Sequence, residues 1–148
     1  MNIEFTNLTN IECEHERLVS IAEFAMQELG LHGECELSIS MVDEDEMSAL
    51  HVRWMDEPGA TDVLSFPMDE IKPNSAHNGA GMLGDIVLCP EFASRQAQQA
   101  GHSLQEELEL LTVHGVLHLV GFDHREPEEK SVMFGLQDRY LLGWRAQQ

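Results

Sequence analysis

Apolar and polar residues alternate at the start of the chain. Ile3 and Phe5 fall on one side of residues 2–7, the pattern of a short half-buried strand. The period then changes: Leu18, Ile21, Ala22, Ala25 and Leu29 recur at helical spacing over residues 15–29, and Gly30 suits the C-terminal stop. Alternation returns at Leu37, Ile39 and Met41, after which Asp43 and Glu46 resemble a capping box opening a helix through Trp54. Pro58 and Gly59 break the chain before TDVLSFP at 61–67, where Val63, Leu64 and Phe66 suit a strand that Pro67 ends. Residues 68–81 are polar, contain Pro and Gly, and predict a flexible loop. LGDIVLCP at 83–90 reads as a buried strand, and Pro90 can open a helix ending near Gly101.

Ser103 and Glu106 form a second capping box ahead of Leu104, Leu108, Leu111 and further apolar positions up to Val120, with Gly121 as the stop. A last helix begins at Pro127 and turns Val132, Met133, Leu136, Tyr140 and Leu141 inward. Strands interspersed with helices, without a Gly-rich phosphate loop, predict an α+β fold. We expect a single domain over residues 1–148, with one mixed sheet of about four strands and helices packed on it. The methionines at 47, 55, 68, 82 and 133 are expected to fill gaps in its core.

Composition narrows the function classes. The chain has 148 residues, 43% of them hydrophobic, which suits a folded soluble domain that needs no metal or disulfide merely to hold it together. The acidic N-terminal stretch lacks the basic region and apolar run of a signal peptide. The apolar run Leu110 to Phe122 falls short of the roughly 20 residues that span a bilayer. Cys13, Cys35 and Cys89 are an odd set without a C-x-x-C pair, as expected of reduced cytosolic thiols. Eight Lys and Arg against 27 Asp and Glu give a formal net charge of −19, the reverse of a basic nucleic-acid patch. The acidic groups, among them Glu106 and Glu107, read as solvated helix ends and faces.

The candidate chemistry sits at the end of the best-marked helix. His114 and His118 are four residues apart, so their rings project from one face, one turn above the other. Gly121 lets the chain leave through a left-handed turn, which can bring His124 back to the same point. Three imidazoles that leave a fourth position for water make the ligand set of a catalytic zinc ion, one per chain. The run also resembles the metzincin signature H-E-x-x-H-x-x-G-x-x-H, except that Gly115 stands where the catalytic Glu would be. This predicts a metal hydrolase without peptidase activity.

With Gly115 included, H-G-V-L-H-L-V-G-F-D-H at 114–124 resembles the signature of the YbeY family of bacterial metal-dependent endoribonucleases and rRNA maturation factors. TDVLSFP, LGDIVLCP and the segment around Met133 resemble that family's other blocks, in the same order, over roughly residues 37–140. The resemblance implies an α+β fold with zinc on His114, His118 and His124, and processing of small-subunit rRNA together with ribosome quality control; the thiols and the lack of an export signal predict a cytoplasmic location. With so acidic a chain, the expected partner is rRNA within the small ribosomal subunit or its precursors, with ribosomal-protein contact, and neither DNA nor membrane. A metal-stabilised assembly factor acting by binding, and a metal hydrolase of another substrate, are the alternatives.

One position departs from the family. Many members carry an Arg six residues before the Thr of the TDVLSF block, and here that position is Met55; Arg53, two residues earlier, points about 200° away on a helix. The general base is not assigned, nor the choice between water and the ribose 2′-hydroxyl as nucleophile. Asp123 is expected to orient a histidine or serve structurally. Asp85 either points toward the site or caps a turn, and Thr61, Asp62 and Ser65 line a substrate groove if their strand is the edge beside the metal. His15, His32, His51, His77 and His102 are expected on the surface or in loops, and Met133 beneath the metal by analogy with metzincins.

Overall fold

The computed structural model describes residues 1–55, 59 and 61–148. The elements follow the periodicities closely: β1 (Asn2–Asn7), α1 (His15–Glu28), β2 (Glu36–Met41), α2 (Glu44–Met55), β3 (Val63–Pro67), β4 (Met82–Leu88), α3 (Pro90–Ala100), α4 (Leu104–Leu119) and α5 (Pro127–Arg145). The break expected at Pro58 lies outside the described residues. The caps explain the helix starts. Asp43 Oδ1 accepts from the Glu46 N–H at 2.9 Å, Pro90 and Pro127 stand in the first turns of α3 and α5, and both halves of the Ser103–Glu106 capping box are made.

The four strands form one mixed sheet in the order β1-β2-β4-β3. β1, β2 and β4 run parallel, and β3 lies antiparallel on the outer side of β4, which makes it an edge strand. The fold is therefore α+β, with one sheet and five α-helices among the described residues. α4 is its central helix and touches α1, α3, α5, β3 and β4. The main core joins Leu18, Ile21 and Met26 of α1 to Ile39, Ile86, Val116, Met133 and Trp144. A smaller core of Val42, Met47, Leu64, Val87 and Cys89 lies under α2.

Three expectations need correcting. Residues 68–81 are tied down rather than loose: the Asn74 N–H donates to Leu29 O at 2.7 Å, Asp69 Oδ2 accepts from the Met82 N–H at 2.8 Å, and residues 76–78 form a 3-10 turn. Met55 and Met68 are not core fillers, being 42% and 63% exposed, whereas Met47 and Met133 are fully buried. Val132, read as inward-facing, is 55% exposed. Lone apolar side chains on a surface cost little, so the apolar pattern alone overcounts the core.

Candidate metal centre

α4 carries the histidines because its buried stripe brings its C-terminal half against β3 and β4. Gly115 makes this approach possible: a Cβ there would lie 3.0–3.1 Å from three side-chain carbons of Ile86. Position 115 thus faces the sheet and not the histidines, so its lack of a carboxylate follows from packing. The helix ends where the Gly121 N–H bonds back to His118 O (3.0 Å) and the Phe122 N–H to Leu117 O (3.1 Å). Gly121 has φ +104°, the left-handed region that favours glycine, and the turn returns the chain toward the helix face.

That turn brings the three rings together. Centroids are separated by 4.6 Å for His114–His118, 5.3 Å for His114–His124 and 5.2 Å for His118–His124. One ring nitrogen from each lies within 4.8 Å of the others, and His114 Nε2 is 3.1 Å from His118 Nε2. Gln137 Oε1, 2.9 Å from His114 Nδ1, requires the proton on that nitrogen and leaves Nε2 with a free lone pair. Burial lowers the pKa of both helix histidines. His118 is pushed down to about 4, first by burial and then by the charges of His114 and His124. Neutral imidazoles with converging lone pairs fit zinc, whose tetrahedral nitrogen ligands at about 2.0–2.1 Å stand roughly 3.3 Å apart. They suit magnesium or calcium poorly, since those ions take oxygen ligands.

The surroundings were partly foreseen. Phe134 of α5 lies 6.1 Å from His114 and 5.8 Å from His124, centroid to centroid, and shields that side of the cluster. Sequence reasoning missed Phe134 and Gln137. A glutamine only 7% exposed on the inner stripe of α5 is the signal that marks the second of these. A cavity of about 620 Å³ joins the histidines to Thr61, Asp62 and Ser65, so the edge strand does line a groove beside them. Met55 lines it too, which puts the position of the family Arg at the pocket wall. Arg53 instead stacks over Trp54, 5.3 Å from the ring.

The carboxylates have other tasks. Asp123 Oδ1 accepts the His124 N–H at 2.7 Å, the main cause of its lowered pKa, and Oδ2 pairs with Arg125 at 3.1 Å, so it braces the turn rather than a histidine ring. Asp62 Oδ1 accepts from the Val63 N–H (2.8 Å) and the Thr61 hydroxyl (3.2 Å). Asp85 alternates with Ile86, whose side chain faces Gly115, and so points away from the histidines. Of the remaining histidines, His15 stacks on Phe5 and His77 is exposed, but His102 is half-buried and bonded to Glu107. Glu107, read from sequence as solvated, is only 6% exposed and lines the same cavity as the histidines. No described helix is long and apolar enough to cross a membrane.

Comparison with known proteins gives the chain its relatives. Residues 3–145 match the family described as Endoribonuclease YbeY. A protein of that name from Nocardia farcinica is 57% identical over 148 residues, covering 97% of this chain and 80% of its own. One from Thermobifida fusca is 50% identical over 147 residues, covering 98% of this chain and 95% of its own. The solution structure of TM1509 from Thermotoga maritima superposes with a TM-score of 0.64 at 25% identity, covering 98% of this chain and 93% of that one.

Proposed function

This chain belongs to the Endoribonuclease YbeY family, and from that premise we propose that it is a cytoplasmic zinc-dependent endoribonuclease acting in small-subunit rRNA maturation and ribosome quality control. The observation that carries the reading is the convergence of ring nitrogens from His114, His118 and His124 in a groove beside an edge strand. These three would hold one zinc ion per chain. When bound, zinc supplies a positive charge for a phosphoryl oxygen and activation of a nucleophile near neutral pH. The chain does the rest. Gln137 fixes the tautomer and plane of His114, Asp123 stiffens the turn that presents His124, and Phe134 keeps water from one side of the cluster. Thr61 and Ser65 line the same cavity; their hydroxyls donate to Asp62 Oδ1 (3.2 Å) and Gly115 O (3.5 Å) and would turn from these partners to donate to the phosphate backbone.

The test is cleavage of a defined RNA by zinc-loaded protein and by His114→Ala, both freed of contaminating nucleases. Cleavage should be lost in the variant while its circular dichroism and melting stay those of a folded protein. If neither protein cleaves, the enzymatic reading fails in favour of a binding factor.

Charge indicates where the substrate is met. At −19 the chain gains little from counterion release and repels polyanions at long range, and Met55 adds no cation at the pocket wall. RNA is therefore presented by the small subunit or its precursors, where basic ribosomal proteins complement the acidic faces. Co-sedimentation at physiological salt should show binding to small subunits well above binding to naked rRNA. Equal binding to both refutes the need for a ribosomal partner.

A further inference from the structure

We propose that the end of the histidine cavity nearest Glu107 is a nucleobase subsite, in which the Glu107 carboxylate selects bases carrying an exocyclic amino group and rejects uracil. This rests on the reading of the site as one for RNA and adds a substrate preference to it. Residues 107, 110, 111, 114 and 118 form one stripe along α4, and all five line the one cavity. Glu107 precedes His114 by seven residues, about 10 Å along the helix axis, comparable to the span of a nucleotide from its phosphate to the far edge of its base. The volume of about 620 Å³ is ample for one nucleotide.

Glu107 is held for such a task. It is 6% exposed, and its Oε1 lies 2.6 Å from His102 Nε2, which fixes the carboxylate plane. Among the described residues no protein donor reaches Oε2. A carboxylate so far withdrawn from water gains by meeting a donor, and it repels a phosphate. With zinc on the histidines, the charges favour one polarity of a bound nucleotide: phosphate toward the histidines and base toward Glu107, the second carboxylate of the cavity, Asp62, being tied to the Val63 N–H and the Thr61 hydroxyl. Between the two ends Leu110 and Leu111 on α4, with Met55 and Val63, supply apolar wall suited to a flat ring, beside the polar Thr61, Asp62 and Ser65. At its end, cytosine N4, adenine N6 or guanine N2 can donate to the carboxylate, as glutamate accepts from cytosine in base recognition. Uracil instead presents two carbonyl oxygens flanking a single N–H, and one of them faces the negative charge.

The experiment titrates zinc-loaded protein with CMP, AMP, GMP and UMP, followed by NMR. UMP should bind more weakly than CMP by roughly tenfold, the discrimination of one well-placed base contact. Glu107→Gln keeps the shape and offers an amide donor to uracil, so the CMP-to-UMP ratio should fall to within about twofold. Leu110→Trp, which fills the slot, should weaken all four nucleotides alike with zinc content unchanged. Equal binding of the four by the unmodified protein overturns the proposal, as does discrimination that persists in a folded Glu107→Gln variant. Failure of every nucleotide to bind a protein that still cleaves RNA also overturns the subsite and leaves the endoribonuclease reading intact. A preference that disappears in Glu107→Gln, in a protein that does not cleave RNA, supports the subsite and removes the enzyme.

Discussion

Two buried polar clusters on α4, one around Glu109 and one around His114, differ in one respect: whether the protein itself satisfies them. In the N-terminal half, Glu109 Oε2 accepts from Arg17 Nε at 3.0 Å and Gln105 Nε2 at 3.2 Å, while Oε1 accepts from Arg145 Nη2 at 3.3 Å. Arg17 also lies 4.6 Å over the Trp144 ring. Nothing in that cluster asks for a ligand. In the C-terminal half, His114 and His118 turn Nε2 atoms toward each other at 3.1 Å, with His124 alongside, so at most one shared proton serves ring nitrogens that an ion would engage together. Size does not separate the two regions in favour of the histidines, because the depression beside Arg17, Glu109 and Arg145 is the larger, about 770 Å³ against 620 Å³. Unsatisfied donor chemistry does. A saturated cluster holds the fold together, and one that lacks a partner is where a ligand belongs.

The sharpest test of this contrast is a crossed pair of variants. Removing Arg17 and Arg145 together strands the Glu109 carboxylate, whose side chain is 2% exposed, without a counter-charge. Breaking a buried pair in this way costs about 3–5 kcal/mol. Urea unfolding of Arg17→Ala/Arg145→Ala should show that loss, with zinc stoichiometry unchanged in whatever remains folded. The triple variant His114→Ala/His118→Ala/His124→Ala should do the reverse: metal content falls to background by elemental analysis, and the metal-free protein stays folded. A triple variant that keeps its zinc places the metal elsewhere. A metal-free triple variant that unfolds makes the histidines structural, and the contrast collapses.

A smaller effect comes from the contact that sets α4 on the sheet. In Gly115→Ala the new methyl meets Ile86 at 3.0–3.1 Å, tighter than ordinary van der Waals contact. Overpacking of about 1–3 kcal/mol is then offset in part by the roughly 1 kcal/mol that Ala gains over Gly in a helix. Net destabilisation should be relieved by adding Ile86→Val, and a thermal-melt cycle over the four proteins measures it. Absence of coupling between the two positions would mean the helix can shift without cost. Because position 115 faces the sheet, a carboxylate in the place of the metzincin Glu has no room there. Zinc-loaded protein should leave peptide libraries intact, and chelator-sensitive peptide cleavage would reverse the assignment.

What the sequence discloses follows from the range of each interaction. The α4 start was legible because Ser103 and Glu106 are three residues apart, and the histidine cluster because its members fall within eleven consecutive residues that a helix and one glycine turn bring together. The edge position of β3 was only conditional in the sequence, since β4 enters between β2 and β3 by long-range pairing. Arg17 and Glu109 are 92 residues apart, so no local pattern joins them. Gln137 and Phe134 were hidden for the same reason, coming to the histidines from a separate helix. Glu107 was misread because a carboxylate beside Glu106 at a helix start looks solvated; only the return of His102 from the preceding turn shows its burial.

The last predicted effects concern acid, where the two ends of α4 should respond in adjacent windows. In the metal-free protein His118 is held at about 4 against an ordinary 6.5, by burial first and the neighbouring histidines second, and burial lowers His114 as well. The unfolded chain then takes up protons that the folded chain refuses, so stability falls as pH drops from 6.5 toward 4 and this contribution levels off below. At the other end, the N–H and hydroxyl of Ser103 hold Glu106 below its ordinary 4.5. Its contribution is complete above that value and is lost as pH falls through the lowered one. Unfolding of metal-free protein, measured in urea from about pH 7 to about pH 3, should therefore show a reduced upper slope in His118→Asn, with His114 supplying the remainder, and a reduced lower slope in Glu106→Gln. An upper slope undiminished in His118→Asn would show that the burial and crowding of that ring do not contribute to it. The same crowding favours the ion, which needs neutral imidazoles and competes with protons for them. Zinc should accordingly remain bound at a lower pH than imidazoles of ordinary basicity would allow, because the folded chain has already displaced the protons that zinc must replace.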